Sequence, residues 1–274
     1  MDAGELVLYD VADGVCTLTL NNPSRHNAWS HDMEHRYFAL LDRAWADDAV
    51  RAIVLTGSGT AFCPGLDTTA LSGATGLDLS GRRPQHYPLT VPKPMVAAIN
   101  GACAGIGLVQ ALNCDVRFAA RGARFSTAYA RRGLPAEYGT SWVLPRLIGL
   151  ERALDLLLSA RTFDADEALS MGLVSRVTDA TEVVAAATAY AQDLARLCSP
   201  RSMAAIRRQV WADAGRGFRE ANEAWLSAMQ HYNGPANPDL AEGVASFVEK
   251  RPPAFGPLPA EWWLPPPPPL ADQG

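Results

Sequence analysis

Short apolar runs alternate with helical patterns along the first part of the chain, and this alternation restricts the fold more than any other feature. Arg51–Thr56 (RAIVLT), Met95–Ile99 and Val116–Ala119 have the length and the residue types of buried strands. From Ser30, a residue type that favours helix starts, to about Asp47, apolar residues recur at the spacing of one helix face. That face comprises Met33, Tyr37, Leu40, Leu41, Ala44 and Trp45. Strands that alternate with helices predict a layered α/β core rather than a sandwich of two sheets.

A hairpin, a long loop and a further helix belong to the same part of the chain. Leu6–Val11 and Val15–Leu20 flank Asp13-Gly14, a dipeptide typical of tight hairpin turns. The stretch from residue 64 to residue 94 is rich in Gly, Pro and Thr, which predicts a long loop with little helix. The pattern of Gly105–Asn113 predicts a helix directly after the strand at 95–99.

The rest of the chain is almost wholly helical in its pattern. The predicted helices are Leu150–Ala160, Thr181–Leu197, Pro200–Trp211, Arg219–Tyr232 and Pro238–Lys250. Beyond Pro252 the chain is so rich in proline that it is predicted to be extended. We therefore predict a core of residues 1–199, a helical region of residues 200–255 and an extended tail of residues 256–274.

The composition and the charge exclude several functional classes. Hydrophobic residues make up 48% of the chain and charged residues 19%, which predicts a folded globular protein. The net charge of −5 comes without a basic stripe, so we expect no nucleic acid as a partner. The five cysteines form no CxxC pair and are odd in number, which predicts reduced thiols rather than a zinc site or a disulfide framework.

No segment has the pattern of secretion or of membrane insertion. The N-terminus, Met1–Glu5, is acidic and lacks the pattern of a signal peptide. The most apolar window, Met95–Leu112, has the length of a membrane span but contains Asn100, Gln110 and three glycines. We therefore expect a cytoplasmic protein without a membrane partner.

Two motifs that are typical of cofactor sites do not fit their cofactors. His31-Asp32-Met33-Glu34-His35 has the H-x-x-E-H pattern of some zinc peptidases. Its two histidines fall on the solvent side of the predicted helix, whereas a catalytic zinc needs a shielded pocket and a third ligand. In the glycine-rich segment 101–107, a dinucleotide motif would need a glycine where Gln110 stands. We therefore predict two solvated histidines, no metal and no cofactor.

Two glycine turns, each after an apolar strand, are the remaining candidates for a functional site. They are Ala61–Asp67 (AFCPGLD) and Asn100–Gly107 (NGACAGIG). Glycine lets the backbone come close to a ligand, and two backbone N–H groups that converge on one oxygen form an oxyanion hole. The pattern alone is equally typical of ordinary turns after strands, so both interpretations stay open at this point.

Several further segments match a known enzyme family. These segments are residues 22–28 (NPSRHNA), 61–67 (AFCPGLD), 93–107 (KPMVAAINGACAGIG), 114–115 (CD), 144–149 (LPRLIG), 165–175 (ADEALSMGLVS) and 242–251 (EGVASFVEKR). In them the chain resembles the enoyl-CoA hydratase/isomerase, or crotonase, family from about Leu6 to Phe255. The resemblance implies an α/β core of repeated ββα units, a C-terminal helical region that helps to build trimers or dimers of trimers, and an acyl-CoA thioester as the substrate.

The resemblance also implies where the substrate binds. It places the oxyanion donors at the backbone N–H groups of Leu66 and Ile106. Ile106 stands where the family usually has glycine, so its side chain must point away from the thioester carbonyl. Arg25 stands where the family often has a basic residue near the CoA phosphates. The other implied substrate-binding residues are Ala28, Gly65, Asp67, Gly105 and Tyr129, and Asp67 is also expected to cap a short helix.

The catalytic positions depart from the family pattern. Family hydratases have two glutamates at the positions of Val109 and Tyr129, and neither residue found here is a base at neutral pH. One carboxylate remains, Glu137, in a turn where some family members that move double bonds have their acid/base group. A single carboxylate suffices to take a proton from C2 and return it to C4. The resemblance therefore predicts isomerisation of an enoyl-CoA, with Glu137 as the acid/base group.

Two other functions stay open on the sequence alone. In one, Tyr129 and Glu137 jointly handle water and the chain is an enoyl-CoA hydratase. In the other, the chain is a catalytically weak acyl-CoA-binding protein, and Glu137 caps a loop or forms a salt bridge with an arginine. The sequence has no pattern that indicates the length of the acyl chain.

Overall fold

The computed structural model describes residues 5–67, 82–232 and 237–262. Its strands, in chain order, are β1 (Val7–Ala12), β2 (Val15–Leu20), β3 (Ala52–Gly57), β4 (Ala61–Cys63), β5 (Met95–Ile99), β6 (Ala102–Ala104), β7 (Val116–Ala120), β8 (Arg124–Ser126), β9 (Phe163–Asp164) and β10 (Arg176–Thr178). Within the described residues, six strands form one sheet in the order β1-β2-β3-β5-β7-β10, and four form another in the order β4-β6-β8-β9. Neighbouring strands are parallel except in the pairs β1–β2 and β8–β9.

From β3 to β8, consecutive strands alternate between the two sheets. β3, β5 and β7 lie in the larger sheet, and the strand after each of them lies in the smaller one. Only a short turn separates the two strands of each pair, so every repeat advances both sheets by one strand. This arrangement confirms the predicted α/β core of repeated strand pairs with helices between them.

The helices lie, in most cases, where the sequence predicts them, within a few residues at each end. They are α1 (His31–Ala46), α2 (Ile106–Leu112), α3 (Thr140–Ile148), α4 (Leu150–Ser159), α5 (Ala165–Met171), α6 (Val183–Leu197), α7 (Pro200–Asp213), α8 (Phe218–Tyr232) and α9 (Pro238–Glu249). Ser30 caps α1 as predicted, and its hydroxyl oxygen accepts the N–H of Met33 at 3.1 Å. The apolar face of α1 is buried except for Trp45, which is 38% exposed and lines a surface groove with Leu258 and Pro259 of the tail.

The region after Leu150 is mostly helical, as predicted, with two short strands that the sequence analysis missed. It also contains β9 and β10, and β10 pairs with β7 at the edge of the larger sheet. Strands of two or three residues are too short for an alternating pattern to be recognised. The sequence analysis also missed two helices, α3 and α5. α5 has a recognisable cap, since Asp164 accepts the N–H of Glu167 at 2.9 Å.

The first C-terminal helix, α7, is held against the core by a buried arginine. The Arg207 guanidinium donates to the Asp115 carboxylate at 2.8 Å and to the carbonyl oxygen of Leu89 at 2.8 Å. Leu89 belongs to a short 3-10 turn, Tyr87–Thr90, within the predicted loop at 64–94. Residues 68–81 of that loop lie outside the described residues. Arg207 therefore anchors the helical region to both the loop and the start of β7.

Large apolar side chains stay exposed on α4 and on the C-terminal helices. They include Leu150, Leu158, Ile206, Val210, Phe218, Leu226, Val244, Phe247 and Val248. The predicted trimer would cover such side chains, and both the trimer and the domain boundaries stay predictions. Of the helices that the structure describes, none has both the length and the apolar character of a membrane span. The described tail, from Pro252 to Trp262, contains no helix or strand, as predicted, and residues 263–274 lie outside the description.

Candidate active site

Two backbone hydrogen bonds with Trp29 fix the conformation of the first glycine turn. The Trp29 N–H donates to the carbonyl oxygen of Gly65 at 2.8 Å, and the Asp67 N–H donates to the carbonyl oxygen of Trp29 at 2.9 Å. In such a parallel bridge the residue between the two partners directs its own N–H and C=O to the opposite side. That residue is Leu66, so its N–H points away from Trp29. Gly65 permits this turn because its φ is +130°.

The second glycine turn packs directly against the first. A methyl group built on Gly107 would lie 2.1 Å from the carbonyl oxygen of Cys63, so only glycine fits at the first turn of α2. A methyl group built on Gly105, whose φ is +51°, would lie 3.9 Å from the Cα of Gly65. The two turns therefore pack against each other. Leu66 directly follows Gly65 in the first turn, and Ile106 directly follows Gly105 in the second.

The side chain of Ile106 is buried in the protein interior. It is only 4% exposed and packs in the main hydrophobic core. This placement agrees with a side chain that points away from the thioester carbonyl, and that direction stays a prediction. Val109, on the next turn of α2, is buried in the same core and offers no polar atom. The convergence of the two N–H groups on one point stays a prediction.

The loop that carries Arg25 and Ala28 is fixed by a fully buried asparagine. The side-chain amide of Asn27 donates to the carbonyl oxygens of Ser58 at 2.9 Å and Ala61 at 2.7 Å. These bonds tie the loop to the turn between β3 and β4. Ala28, which is partly buried, lies directly before the Trp29 bridge to the first glycine turn.

Arg25 lies at the exposed rim of this site. Its guanidinium is 3.3 Å from the carboxylate of Asp67, and its side chain is 45% exposed whereas that of Asp67 is nearly buried. The structure therefore brings together Arg25, Ala28, Gly65, Leu66 and Asp67. The short helix that Asp67 is expected to cap falls outside the described residues.

Glu137 lies in the turn before α3, and no described residue neutralises its charge. The side chain is partly buried, and burial raises the pKa of the Glu137 carboxyl. Within the described residues its carboxylate makes no hydrogen bond and no ion pair. A structural salt bridge with an arginine would instead lower the pKa of the carboxyl. The salt-bridge interpretation of Glu137 therefore finds no support among the described residues.

Tyr129 is buried and supports the Glu137 turn rather than facing water. Its hydroxyl lies 3.1 Å from the hydroxyl of Thr140, which donates its own proton to the carbonyl oxygen of Glu137 at 2.6 Å. Since Thr140 has a single hydroxyl proton, Tyr129 must be the donor in the first of these bonds. Burial, with smaller contributions from the nearby Glu137 and Cys103, raises the pKa of Tyr129 to about 12. Tyr129 is therefore a weak candidate for the base that activates water.

A buried carboxylate near the first turn escaped the sequence analysis. His31 and His35 are exposed, as predicted, but Glu34 between them is only 3% exposed. It accepts hydrogen bonds from the indole of Trp29 at 3.1 Å and from the Arg82 guanidinium at 2.8 Å. Glu34, Tyr37, Phe38 and Leu41 are all buried and have the spacing of one helix stripe, a signal that could have identified it.

The cysteine thiol next to the first glycine turn is not activated for chemistry. All five cysteines are free, as predicted, and burial raises the pKa of Cys63 to about 12. Across the described ranges, no group of three or more His, Cys, Asp or Glu residues is placed to hold a metal ion. The backbone amides of Leu66 and Ile106 and the carboxylate of Glu137 stay the predicted catalytic groups.

Comparisons with known proteins place the chain among enzymes that act on CoA thioesters. A family model described as enoyl-CoA hydratase/isomerase matches residues 10–257. A relative from Rhodobacter capsulatus named "Probable enoyl-CoA hydratase" is 37% identical over 257 residues, which cover 91% of this chain and 97% of the relative. The 1,2-epoxyphenylacetyl-CoA isomerase of Escherichia coli is 33% identical over 265 residues, which cover 92% of this chain and 98% of the relative.

A solved crystal structure from the same family has a similar fold. The crystal structure of a probable enoyl-CoA hydratase/isomerase from Mycobacterium abscessus superimposes with a TM-score of 0.85 at 31% sequence identity. The superposition covers 92% of this chain and 99% of that chain. The similarity therefore extends over nearly the whole fold and not only over the two glycine turns.

Proposed function

Because this chain belongs to the enoyl-CoA hydratase/isomerase family, we propose that it moves the double bond of an enoyl-CoA thioester. In the proposed reaction, the Glu137 carboxylate removes a proton from C2 of a 3-enoyl-CoA. The electron pair of the broken C–H bond is delocalised onto the thioester oxygen. As the proton returns to C4, the double bond shifts from the C3–C4 position to the C2–C3 position. CoA is part of the substrate, and the reaction needs no further cofactor.

The N–H groups of Leu66 and Ile106 are the proposed donors to the thioester oxygen. Negative charge develops on this oxygen in the enolate, and donors that are already in position stabilise it without reorganisation. The packing of the second glycine turn against the first supports this role, because it brings the two amide groups into one region. Arg25, at the exposed rim, is the proposed contact for the CoA phosphates.

The proposal depends most on the burial of the Glu137 carboxylate without a charge partner among the described residues. Its carboxylate is partly buried and has no charge partner among the described residues, so burial raises its pKa. A general base works best when its pKa approaches the working pH, and a buried carboxyl moves in that direction. The bond from Thr140 fixes the backbone of the turn and leaves the carboxylate itself available.

Hydration is the weaker candidate for this site. The relatives include both a probable hydratase and an isomerase, so their names do not separate the two reactions. Hydration requires one group to deprotonate water and usually another to protonate carbon. Val109 is aliphatic, and Tyr129 has its pKa raised to about 12, which leaves Glu137 as the one suitable group.

The experiment that tests the proposal supplies 3-enoyl-CoA and 2-enoyl-CoA separately to the purified protein. We expect conversion of 3-enoyl-CoA to 2-enoyl-CoA, with much slower release of 3-hydroxyacyl-CoA from the 2-enoyl substrate. Faster hydration than isomerisation would contradict the proposal in favour of a hydratase. Binding of both thioesters with turnover of neither would favour an acyl-CoA-binding protein.

A further inference from the structure

A buried carboxylate on α1 accepts hydrogen bonds from three residues on two separate segments. The Glu34 carboxylate accepts from the indole N–H of Trp29 at 3.1 Å and from the side-chain amide of Gln85 at 2.5 Å. The Arg82 guanidinium donates to both of its oxygens, and the Nε bond measures 2.8 Å. A charge in the interior is tolerated only when it is paired and fully hydrogen-bonded, and Glu34 meets both conditions.

One branch of this network leads to the first glycine turn. Trp29 is 1% exposed, and its indole is fixed by Glu34 on one side and by an edge-to-face contact with Tyr37 on the other. The backbone of the same Trp29 forms the bridge that orients the Leu66 amide. A shift of the Trp29 side chain would therefore move the first of the two proposed donors.

The other branch leads to the helix that begins at the second glycine turn. The side-chain oxygen of Gln85 accepts from the Gln110 amide at 2.9 Å, and its carbonyl oxygen accepts from the Asn113 amide at 2.7 Å. Gln110 lies on α2 and Asn113 directly follows it, and both are buried. Because α2 has only seven residues, contacts along its length also fix its first residue, Ile106.

We propose that Glu34 is a positioning residue that holds the two glycine turns in one fixed relation, through Trp29 on one side and through Gln85 and Gln110 on the other. This inference rests on the proposed function, because the two turns are the proposed oxyanion site. Glu34 does not touch the substrate in this role. Its contribution is to keep the Leu66 and Ile106 amides aimed at the same oxygen.

The network requires an ionised carboxylate at residue 34. Burial raises the pKa of Glu34, but the hydrogen bonds from its partners outweigh burial and lower it below the ordinary value. One of its oxygens accepts from three donors at once. A glutamine would present an NH₂ group to at least one of these donors, so Glu34→Gln changes the charge and the hydrogen bonding while it preserves the size.

α1 provides a matched control for this substitution. Asp42, two turns further along the same helix, also pairs with an arginine, since the Arg83 guanidinium lies 2.7 Å from its carboxylate. Asp42 also accepts a hydrogen bond from Tyr87. Both partners of Asp42 belong to the segment that carries Arg82 and Gln85, but none of the contacts of Asp42 among the described residues is with Glu34, Trp29 or Gln85. Asp42→Asn therefore removes a charge and an ion pair between α1 and this segment while the hydrogen bonds of Glu34 stay in place.

The experiment uses the full chain and two readouts. The first is kcat and KM for 3-enoyl-CoA. The second is the carbon-13 NMR shift of a saturated acyl-CoA labelled at the thioester carbonyl, because hydrogen bonding to the oxygen moves this signal downfield. For Glu34→Gln we expect kcat to fall on the order of 10²-fold, as for a displacement of about 1 Å at a reacting centre. We also expect little change in KM and the loss of most of the downfield shift. Asp42→Asn should match the wild type in both readouts.

A second variant keeps the test decisive if Glu34→Gln does not fold. Gln110→Met removes the side-chain hydrogen bond from α2 to Gln85 and leaves the Asn113 bond and the Glu34–Arg82 ion pair in place. It should reduce both kcat and the downfield shift. A purely structural role would lower the melting temperature but leave the shift of the bound thioester unchanged. Wild-type kcat and wild-type shift in the folded variants would overturn the proposal.

The two readouts also separate this inference from the proposed function. A wild type that shifts the carbonyl signal but turns over no 3-enoyl-CoA would contradict the isomerase, and the loss of that shift in Glu34→Gln would still support the positioning role. A wild type that gives no downfield shift would overturn the oxyanion site and with it the role of Glu34.

Discussion

Thr140 donates its hydroxyl proton to the carbonyl oxygen of Glu137 at 2.6 Å, and the same hydroxyl accepts a proton from Tyr129. The turn is therefore fixed through its backbone, whereas the Glu137 carboxylate has no partner among the described residues. A group that is held in place but not neutralised is suited to proton transfer.

Replacing Glu137 should separate turnover from binding. Glu137→Gln keeps the size of the side chain but removes the base, so kcat for 3-enoyl-CoA should fall on the order of 10²–10⁴-fold. Binding of a saturated acyl-CoA, measured by calorimetry, should change little because the Leu66 and Ile106 amides remain. The matched control is Glu151→Gln, which changes an exposed glutamate on α4. Near-normal isomerase turnover in Glu137→Gln would remove Glu137 from the mechanism.

The contact between the two glycine turns should tolerate no added methyl group. Gly107→Ala would bring a Cβ to 2.1 Å from the carbonyl oxygen of Cys63, which is backbone and cannot rotate away. We expect a loss of about 1–3 kcal/mol in the free energy of unfolding, together with a lower kcat, because the turns must separate. Denaturant unfolding measures the first and the enzyme assay the second.

Gly122 supplies the control for this steric argument. An added methyl group there would meet no atom within 4 Å. Gly122→Ala should therefore change the free energy of unfolding by less than about 0.5 kcal/mol. Equal stability of the Gly107 and Gly122 variants would contradict the close packing of the two turns.

The sequence predicted the elements whose pattern is local. The strand at 95–99 and the cap at Ser30 both follow from residues within a few positions of each other, and both are confirmed. The smaller sheet has strands of only two or three residues, which carry no readable alternation. Their pairing depends instead on contacts between segments that are distant in the chain, such as β4 with β6.

The Glu34 network shows why part of the candidate site escaped sequence analysis. The position of Glu34 on a buried stripe of α1 was visible from spacing, and a charge on such a stripe indicates a buried partner. The partners Arg82 and Gln85 lie 48 and 51 residues away and belong to no recognisable motif. The oxyanion positions, in contrast, follow from a family resemblance that the family model supports.

Arg207, which anchors α7 to the core, should contribute strongly to the free energy of unfolding. Arg207→Met would leave Asp115 without its partner and several carbonyl oxygens without a donor, at a cost of about 3–5 kcal/mol in the free energy of unfolding. Arg216→Met, on the same segment, breaks the more exposed pair with Asp213 and should cost about 0–1 kcal/mol. Similar losses in the two variants would mean that α7 does not depend on this anchor.

The exposed apolar face of the helical region should be covered by copies of the same chain. Phe218 and Phe247 are 89% and 82% exposed, and apolar side chains clustered on one region mark contact surfaces. Light scattering should therefore give the mass of a trimer or of a dimer of trimers. Phe247→Asp should lower that mass, whereas Leu8→Lys, on β1, should not. A monomer at micromolar concentration in the wild type would contradict the prediction.

Glu137→Gln, which should lower turnover, should also stabilise the folded protein at neutral pH. Burial raises the pKa of Glu137 in the folded protein above its value in the unfolded chain. The stabilising contribution of such a group is fully present below the unfolded pKa and is lost as the pH rises through the folded pKa. At neutral pH the ionised Glu137 is therefore a cost to folding, which Glu137→Gln removes. We expect the melting temperature of the variant to exceed that of the wild type at pH 7, with the difference shrinking towards pH 4 (about the ordinary pKa of glutamate). In the wild type, kcat/KM should fall with decreasing pH around a value above that ordinary pKa, because only the ionised carboxylate accepts a proton. A lower melting temperature for Glu137→Gln at neutral pH would mean that the carboxylate is a structural partner after all.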